Sequence, residues 1–185
     1  NRAITPDALG PRVASKVLAT RHLRTALTAE ELTYLPELRP VCVLAGGVLG
    51  QTGMESAELI EAVCKQIRPA AVVAVDALAC AELSRLGTTI QMSDSGISPG
   101  SGVANHRAEL SRRTLGVPVL ALGLPTVIRA DQLIGEEAPA EGEALFVTPR
   151  DIDQRIRELG RLLGYGITLA LQPSLTAADV TALLG

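Results

Sequence analysis

Aromatic side chains are nearly missing from this sequence: its 185 residues hold one Phe, two Tyr and no Trp. Excess positive charge is missing as well, the formal net charge being -3. A nucleic-acid groove needs a basic footprint and aromatic faces for stacking, so direct binding of DNA or RNA is not expected. Histidine occurs only as His22 and His106, too sparse for a His-rich transition-metal site. The cysteines, Cys42, Cys64 and Cys80, form an odd set without a CxxC pair. That argues against a disulfide framework or a zinc knuckle and for a reducing cytoplasm. Every aliphatic run is cut by Gly, Pro or charge before it reaches the roughly 18 residues of a bilayer span, and no signal-peptide pattern opens the chain. Neither a membrane nor a metal or cofactor is called for.

What is present is aliphatic and loop-forming: 47% hydrophobic residues, 20% charged, 17 Gly and 11 Pro. At a length within the roughly 100–200 residues of an ordinary domain, this predicts one soluble domain over residues 1–185. Strand and helix patterns alternate along it. Thr5-Pro6-Asp7 has the cap-plus-proline form of a helix start, and Leu9, Val13, Val17 and Leu18 follow at turn spacing, predicting a helix to about Leu27. Val41–Ala45 reads as a buried strand closed by Gly46-Gly47. A glycine-rich loop, Gly46–Gly53, leads into a helix with Ala57, Ile60, Val63, Cys64 and Ile67 on one face, ended by Pro69. Ala71–Val75 reads as a second strand with Asp76 at its carboxyl end, followed by a helix over Ala77–Leu86. Thr88–Met92 and Val119–Leu122 read as further strands, and Arg107–Leu115 as a helix. The segment Gly135–Gly142 reads as a mobile loop. Thr148-Pro149 repeats the helix-start signal before Ile152, Ile156, Leu159 and Leu163. Aliphatic strands alternating with helices predict a three-layer α/β/α sandwich around a mainly parallel sheet.

Three short motifs invite chemistry that their neighbours forbid. Gly96-Ile97-Ser98-Pro99-Gly100 spells the G-x-S-x-G elbow of serine hydrolases. There the residue after the serine must give its backbone N–H to the oxyanion, and Pro99 has none. No histidine follows His106 to complete such a triad. Gly47-Val48-Leu49-Gly50-Gln51-Thr52-Gly53 has the glycines of a phosphate loop without its Lys-Ser/Thr. Asp94-Ser95-Gly96 matches the D-[ST]-G of two-lobed aspartic proteases, but in one copy and in an α/β setting.

Two aspartates are harder to set aside. Asp7, in Thr5-Pro6-Asp7-Ala8-Leu9, and Asp76, in Val75-Asp76-Ala77-Leu78, each stand at a predicted helix opening, where the helix dipole alone favours an acid by roughly 0.3–1 kcal/mol. Asp76 also falls where the crevice of an open α/β sheet begins. Hydrolysis of a peptide without metal or covalent nucleophile needs one carboxylate to take a proton from water and one carboxylic acid to serve the carbonyl or the leaving amine. Two neighbouring carboxyls can share a proton in this way, because like charges raise the second ionisation.

The blocks around these residues carry a resemblance. TPDALGP and TRHL at 5–23, GGVLGQTGMES at 46–56 and VVAVDALACAEL at 72–83 resemble the germination protease family, spore endopeptidases that degrade small acid-soluble spore proteins. TTIQMSDSGISPGSGVANHRAELS at 88–111, TLGVPVLALGLPTVI at 114–128 and FVTPRDID at 146–153 continue the match in order. The resemblance implies an atypical aspartic endopeptidase with Asp7 and Asp76 as catalytic pair. It further implies a fold similar to the hydrogenase-maturation peptidases, a zymogen that loses an N-terminal segment, a homo-oligomer such as a tetramer, and cleavage beside an acidic residue. The setting implied is the cytoplasm of the forespore or the spore core. The chain is expected to form the peptidase domain without the family's N-terminal strand and pro-region, and residues 129–145 stand where many members insert a longer segment. Asp94 is a candidate supporting carboxylate, and Gly47, Gly50, Gly53, Gly100 and Gly102 are candidates for backbone approach and N–H donation to substrate. Two other functions fit the same residues: a metal-sensing maturation-type peptidase, and a catalytically silent binding or assembly module.

Overall fold

Val119–Arg129 is buried at most positions on both faces, as befits a strand with neighbours on both sides and cover above and below. The computed structural model describes residues 8–33, 37–46, 53–99, 108–134 and 145–185. In chain order the described elements are α1 (Leu9–Ala14), α2 (Leu23–Ala26), α3 (Ala29–Thr33), α4 (Ser56–Ile67), β1 (Val72–Cys80), β2 (Gln91–Ser93), α5 (Arg112–Leu115), β3 (Val119–Arg129), α6 (Ala130–Ile134), β4 (Phe146–Val147), α7 (Ile152–Leu171) and α8 (Ala177–Leu184). No described helix is long and apolar enough to cross a membrane.

The sheet centres on β3. It pairs in parallel with β1 from Val72↔Val119 to Cys80↔Ile128, and antiparallel with β2 at Gln91↔Gly123 to Ser93↔Ala121 and with β4 at Ile128↔Val147. The sheet is therefore mixed and open, which corrects the mainly parallel sheet expected from the sequence. β2 and β4 are too short for an aliphatic run to announce their direction, and both return against β3 instead of crossing over. Between Leu78 and Ala79 the register shifts by one residue. The proline of β3, Pro125, falls at this bulge, the one kind of interior strand position where a missing N–H does little harm. Beyond it, Cys80, Leu86 and Ile128 form a small buried cluster.

Contacts divide the chain into two compact units: the described residues within Asn1–Gly10 and Gly46–Ile156, and those within Pro11–Ala45 and Arg157–Gly185. The first unit holds the sheet. In the second, the fully buried Gln172 pairs with the backbone of Arg39: its Oε1 accepts from the Arg39 N–H and its Nε2 donates to the Arg39 carbonyl, both at 2.8 Å. Thr20 Oγ1 donates to the same carbonyl at 2.6 Å and accepts from the Val41 N–H at 2.9 Å. Thr168 Oγ1 takes the Leu18 N–H at 3.1 Å.

Those bonds explain two departures from the sequence reading. The helix expected from Thr5 to Leu27 is, among the described residues, α1 and α2 separated by turns, because the backbone N–H groups of Thr20 and Arg21 turn to the Val41 carbonyl. Val41–Ala45 is extended but forms no described strand pair, and its exposure alternates, with Leu44 42% exposed. The helix expected over Ala77–Leu86 is absent as well. β1 runs on to Cys80, and a single 3-10 turn, Leu83–Arg85, follows. Ala and Leu favour helix only weakly as isolated residues, and residue-by-residue pairing with β3 prevails. Of the helix expected over Arg107–Leu115, α5 is the described part. α7 starts at Ile152 instead of after Thr148, since the Thr148 hydroxyl donates to the Thr126 carbonyl at 2.8 Å and does not cap the helix. The expected loop Gly135–Gly142 lies outside the described residues.

Candidate active site

The site grows from one row of the sheet. Asp76 pairs with Gly123 and Gly123 with Gln91, and laterally paired residues project to the same face, so this row spans β1, β3 and β2. The next row is Ala74, Ala121 and Ser93. Asp76 is thus the fifth of nine residues in β1, not at the strand end expected for it, because the strand extends four residues further. It is half-buried, and its Oδ2 is shielded from solvent.

Gly123 makes room in the row for a neighbouring side chain. Leu78 shares the face of Asp76 two residues on and leans across: a methyl group at position 123 would meet Leu78 Cδ1 at 2.2 Å. Beyond Gly123 lies a cavity of about 200 Å³ bounded by Leu78, Gln91, Ser93, Ile97, Ala121 and Gly123. Its outer wall is held by backbone. Ile97 and Leu110 exchange two hydrogen bonds, at 2.9 and 2.8 Å, and Gly96 takes φ +94°, where a side chain would meet the Leu110 carbonyl oxygen at 2.3 Å. Gly96, first residue of the serine-elbow lookalike, is therefore a packing residue.

The block preceding α1 touches this strand too. A methyl group at Gly10 would lie 3.4 Å from the Val75 carbonyl oxygen, so the described end of TPDALGP rests on β1 one residue before Asp76. Asp7 itself lies outside the described residues, as do Gly47, Gly50, Gly100, Gly102 and His106. Asp94 is exposed in the turn after β2, where Ser93 and Ser95 hydroxyls lie 2.6 Å apart. Gly53, at φ +68°, has no neighbour among the described residues within 4 Å of where a side chain would start. Among the predicted site residues, only Asp76 is placed by the described residues in the row beside the cavity. Leu78, Gln91, Ser93, Ala121 and Gly123 were missed in the sequence; the available signal was a glycine inside the aliphatic run Val119-Leu120-Ala121-Leu122-Gly123-Leu124, a mark of close approach.

Among the cysteines, Cys42 is exposed while Cys64 and Cys80 are buried, all three as free thiols. Burial pushes the Cys80 thiol above its ordinary range, against smaller opposing effects of nearby backbone N–H groups and Arg85. A thiol so placed stays protonated and is a poor nucleophile, in keeping with its packing against Leu86 and Ile128.

An α/β sheet with a carboxylate set in a row of glycine and amide fits a hydrolytic site, and comparison with known sequences gives the class as peptidase. A family model described as Germination protease matches residues 1–137. The germination protease of Clostridium tetani (strain Massachusetts / E88) is 39% identical, over 100% of this chain and 68% of its own length. That of Clostridium acetobutylicum is 38% identical, over 97% of this chain and 65% of its own length. That of Bacillus velezensis is 52% identical over a shorter stretch, 70% of this chain and 34% of its own. The chain belongs to the germination protease family, and it spans about two thirds of the length of the two clostridial relatives.

Proposed function

We propose that the chain is a spore endopeptidase that hydrolyses small acid-soluble spore proteins, with Asp7 and Asp76 sharing the attacking water. One carboxylate takes a proton from the water as it adds to the peptide carbonyl. The other, protonated, first hydrogen-bonds the carbonyl oxygen and then supplies the proton on which the amine leaves. Close approach of the two makes the shared proton favourable at a pH where a lone aspartate would be fully ionised.

The observation that supports this reading is the seat of Gly10 on the Val75 carbonyl. Asp7 stands three positions before Gly10, and a chain of that length reaches at most about 10 Å, so a meeting with Asp76 lies within covalent reach. Asp94 serves as a supporting carboxylate, and Gly47, Gly50, Gly53, Gly100 and Gly102 offer backbone N–H groups to the peptide and to the developing oxyanion. The larger frame of this reading is a three-layer α/β/α sandwich of the hydrogenase-maturation peptidase kind, in a homo-oligomeric enzyme made as a zymogen and working in the cytoplasm of the forespore or the spore core.

Its test is cleavage of a purified small acid-soluble spore protein by the intact protein and by Asp7→Asn and Asp76→Asn. Each variant should lose at least about a hundredfold in rate, the lower range for a general acid or base, with an unchanged circular dichroism spectrum. Undiminished cleavage by either folded variant overturns the mechanism.

A further inference from the structure

Resting on the peptidase reading, we propose that Arg12, Arg157 and Arg161 form a docking surface for an acidic stretch of the protein substrate, in the unit that holds no candidate catalytic residue.

The division of the chain supplies the first argument. Every candidate site residue, from Asp7 to Gly123, falls within Asn1–Gly10 or Gly46–Ile156, and the unit made of Pro11–Ala45 and Arg157–Gly185 holds none. That second unit has 7 of the 17 Lys and Arg but only 5 of the 20 Asp and Glu. It carries a formal charge of +2 in a chain of net charge -3. A cationic part of this kind draws anionic partners.

Three of its cations gather where Arg12 lies on α7. A methyl group at Gly160 would meet Arg12 Cγ at 2.8 Å and Cβ at 3.2 Å, so the missing side chain lets the arginine stem rest on the helix. Arg157 and Arg161 stand on either side of Gly160 in sequence, four residues apart. They are neighbours on the helix surface, with about 5–6 Å between their Cβ atoms. All three arginines are exposed, and no described carboxylate pairs with any of them. Elsewhere Lys65, Arg85, Arg113, Arg129 and Arg155 each have an acid beside them. Like charges four apart weaken a helix, so stability gives no reason to keep this cluster bare.

Chemistry selects the partner. Guanidinium forks match carboxylates through two parallel hydrogen bonds, and three of them side by side fit several acids in a short stretch. A nucleic acid carries a charge about every 1.7 Å of its axis. It would meet a chain of net negative charge with one Phe, two Tyr and no Trp, poor in both electrostatic and stacking support. The partner is therefore a polypeptide, and the peptidase reading makes the substrate one.

The test compares two substrates of the intact protein: a purified small acid-soluble spore protein and a short peptide spanning the cleaved bond. The double variant Arg157→Glu, Arg161→Glu should raise KM for the whole substrate at least about threefold, within the range of two exposed ion pairs. Its kcat should stay unchanged, the mark of lost uniform binding, and both constants for the short peptide should stay as they were. Arg12→Glu, on the other element, should act in the same direction. Raising salt from about 50 to 300 mM should narrow the gap between intact protein and variants. In direct titration, labelled polyglutamate should bind the intact protein and lose affinity in the double variant. Labelled duplex DNA of equal charge that binds more tightly through the same arginines overturns the proposal in favour of a nucleic-acid surface. Cleavage of both substrates that Asp76→Asn abolishes, with whole-substrate KM within about threefold in both arginine variants, overturns the docking surface and leaves the mechanism standing. Intact protein that cuts neither substrate overturns both.

Discussion

Gln172 ties the carbonyl and N–H of Arg39 with a single amide and is fully buried while doing so. Leucine there would fill similar space but leave the Arg39 N–H without its partner, at about 1–3 kcal/mol, while the Arg39 carbonyl keeps the Thr20 hydroxyl. Gln172→Leu should therefore lower unfolding free energy by about 1–3 kcal/mol, read from the midpoint of a urea transition; a shift below about 0.5 kcal/mol would show that water replaces the amide. Cysteine reactivity separates equally by burial. Alkylation of the native protein should mark Cys42 first, with Cys80 reacting only after unfolding. Rapid native modification of Cys80, seen by mass spectrometry of the tryptic peptides, would contradict its place beneath Leu86 and Ile128. Of the residues in the row beside the cavity, Asp76 stood out in the sequence because an acid inside an aliphatic run is conspicuous. Gly123 and Leu78 did not, since their importance lies in facing each other across a strand pair, and pairing is not written in either segment alone.

Elements follow their neighbours more than their own letters. Val72–Cys80 shows the point: its aliphatic run reads equally as strand or helix, and the strand form prevails to Cys80 because β3 offers a partner for every residue. Helices with a clear apolar face were easier. α4 lies where Ala57 to Ile67 predicted it, with Glu55 and Glu58 closing a reciprocal capping box. α7 carries Ile152, Ile156 and Leu163 as buried residues on one side, as their spacing indicated. Short strands such as β2 give too few residues for a period. The wall beyond β2 depends on one backbone conformation: Gly96→Ala would combine φ +94° with a 2.3 Å approach to the Leu110 oxygen. It should cost about 2 kcal/mol or more, read as a lowered Tm, and an unchanged Tm would mean that the Ile97–Leu110 bridge can rearrange freely.

At the scale of the whole molecule, acid should weaken the fold through five carboxylates together. Asp179 is held below the usual range by the Thr176 hydroxyl and N–H, Asp131 by the Arg129 side chain, and Asp151 by the Arg155 side chain. Glu31 is lowered by the Thr28 N–H and hydroxyl, and Glu109 by the Ser111 hydroxyl and Arg113. A carboxylate depressed in the folded state contributes stability that is complete above its unfolded value, about 4, and is lost as pH falls below that value. Tm should therefore be level with respect to these groups near neutrality and decline below about pH 4; Asp179→Asn should make that decline shallower, and an identical acid limb would contradict the cap's contribution.

Family, order of blocks and the α/β class were legible across the whole chain, because they reside in local runs of residues. The mixed sheet and the two compact units were not, because they depend on which segments find each other. The central proposal, two carboxyls acting on one water, is of this second kind. A crystal structure of the mature enzyme tests it most directly through the separation of the Asp7 and Asp76 carboxyl oxygens. A shared water requires nearest oxygens no more than about 6 Å apart, two hydrogen-bond lengths. Carboxyls more than about 10 Å apart, or on opposite faces of the sheet, would contradict it.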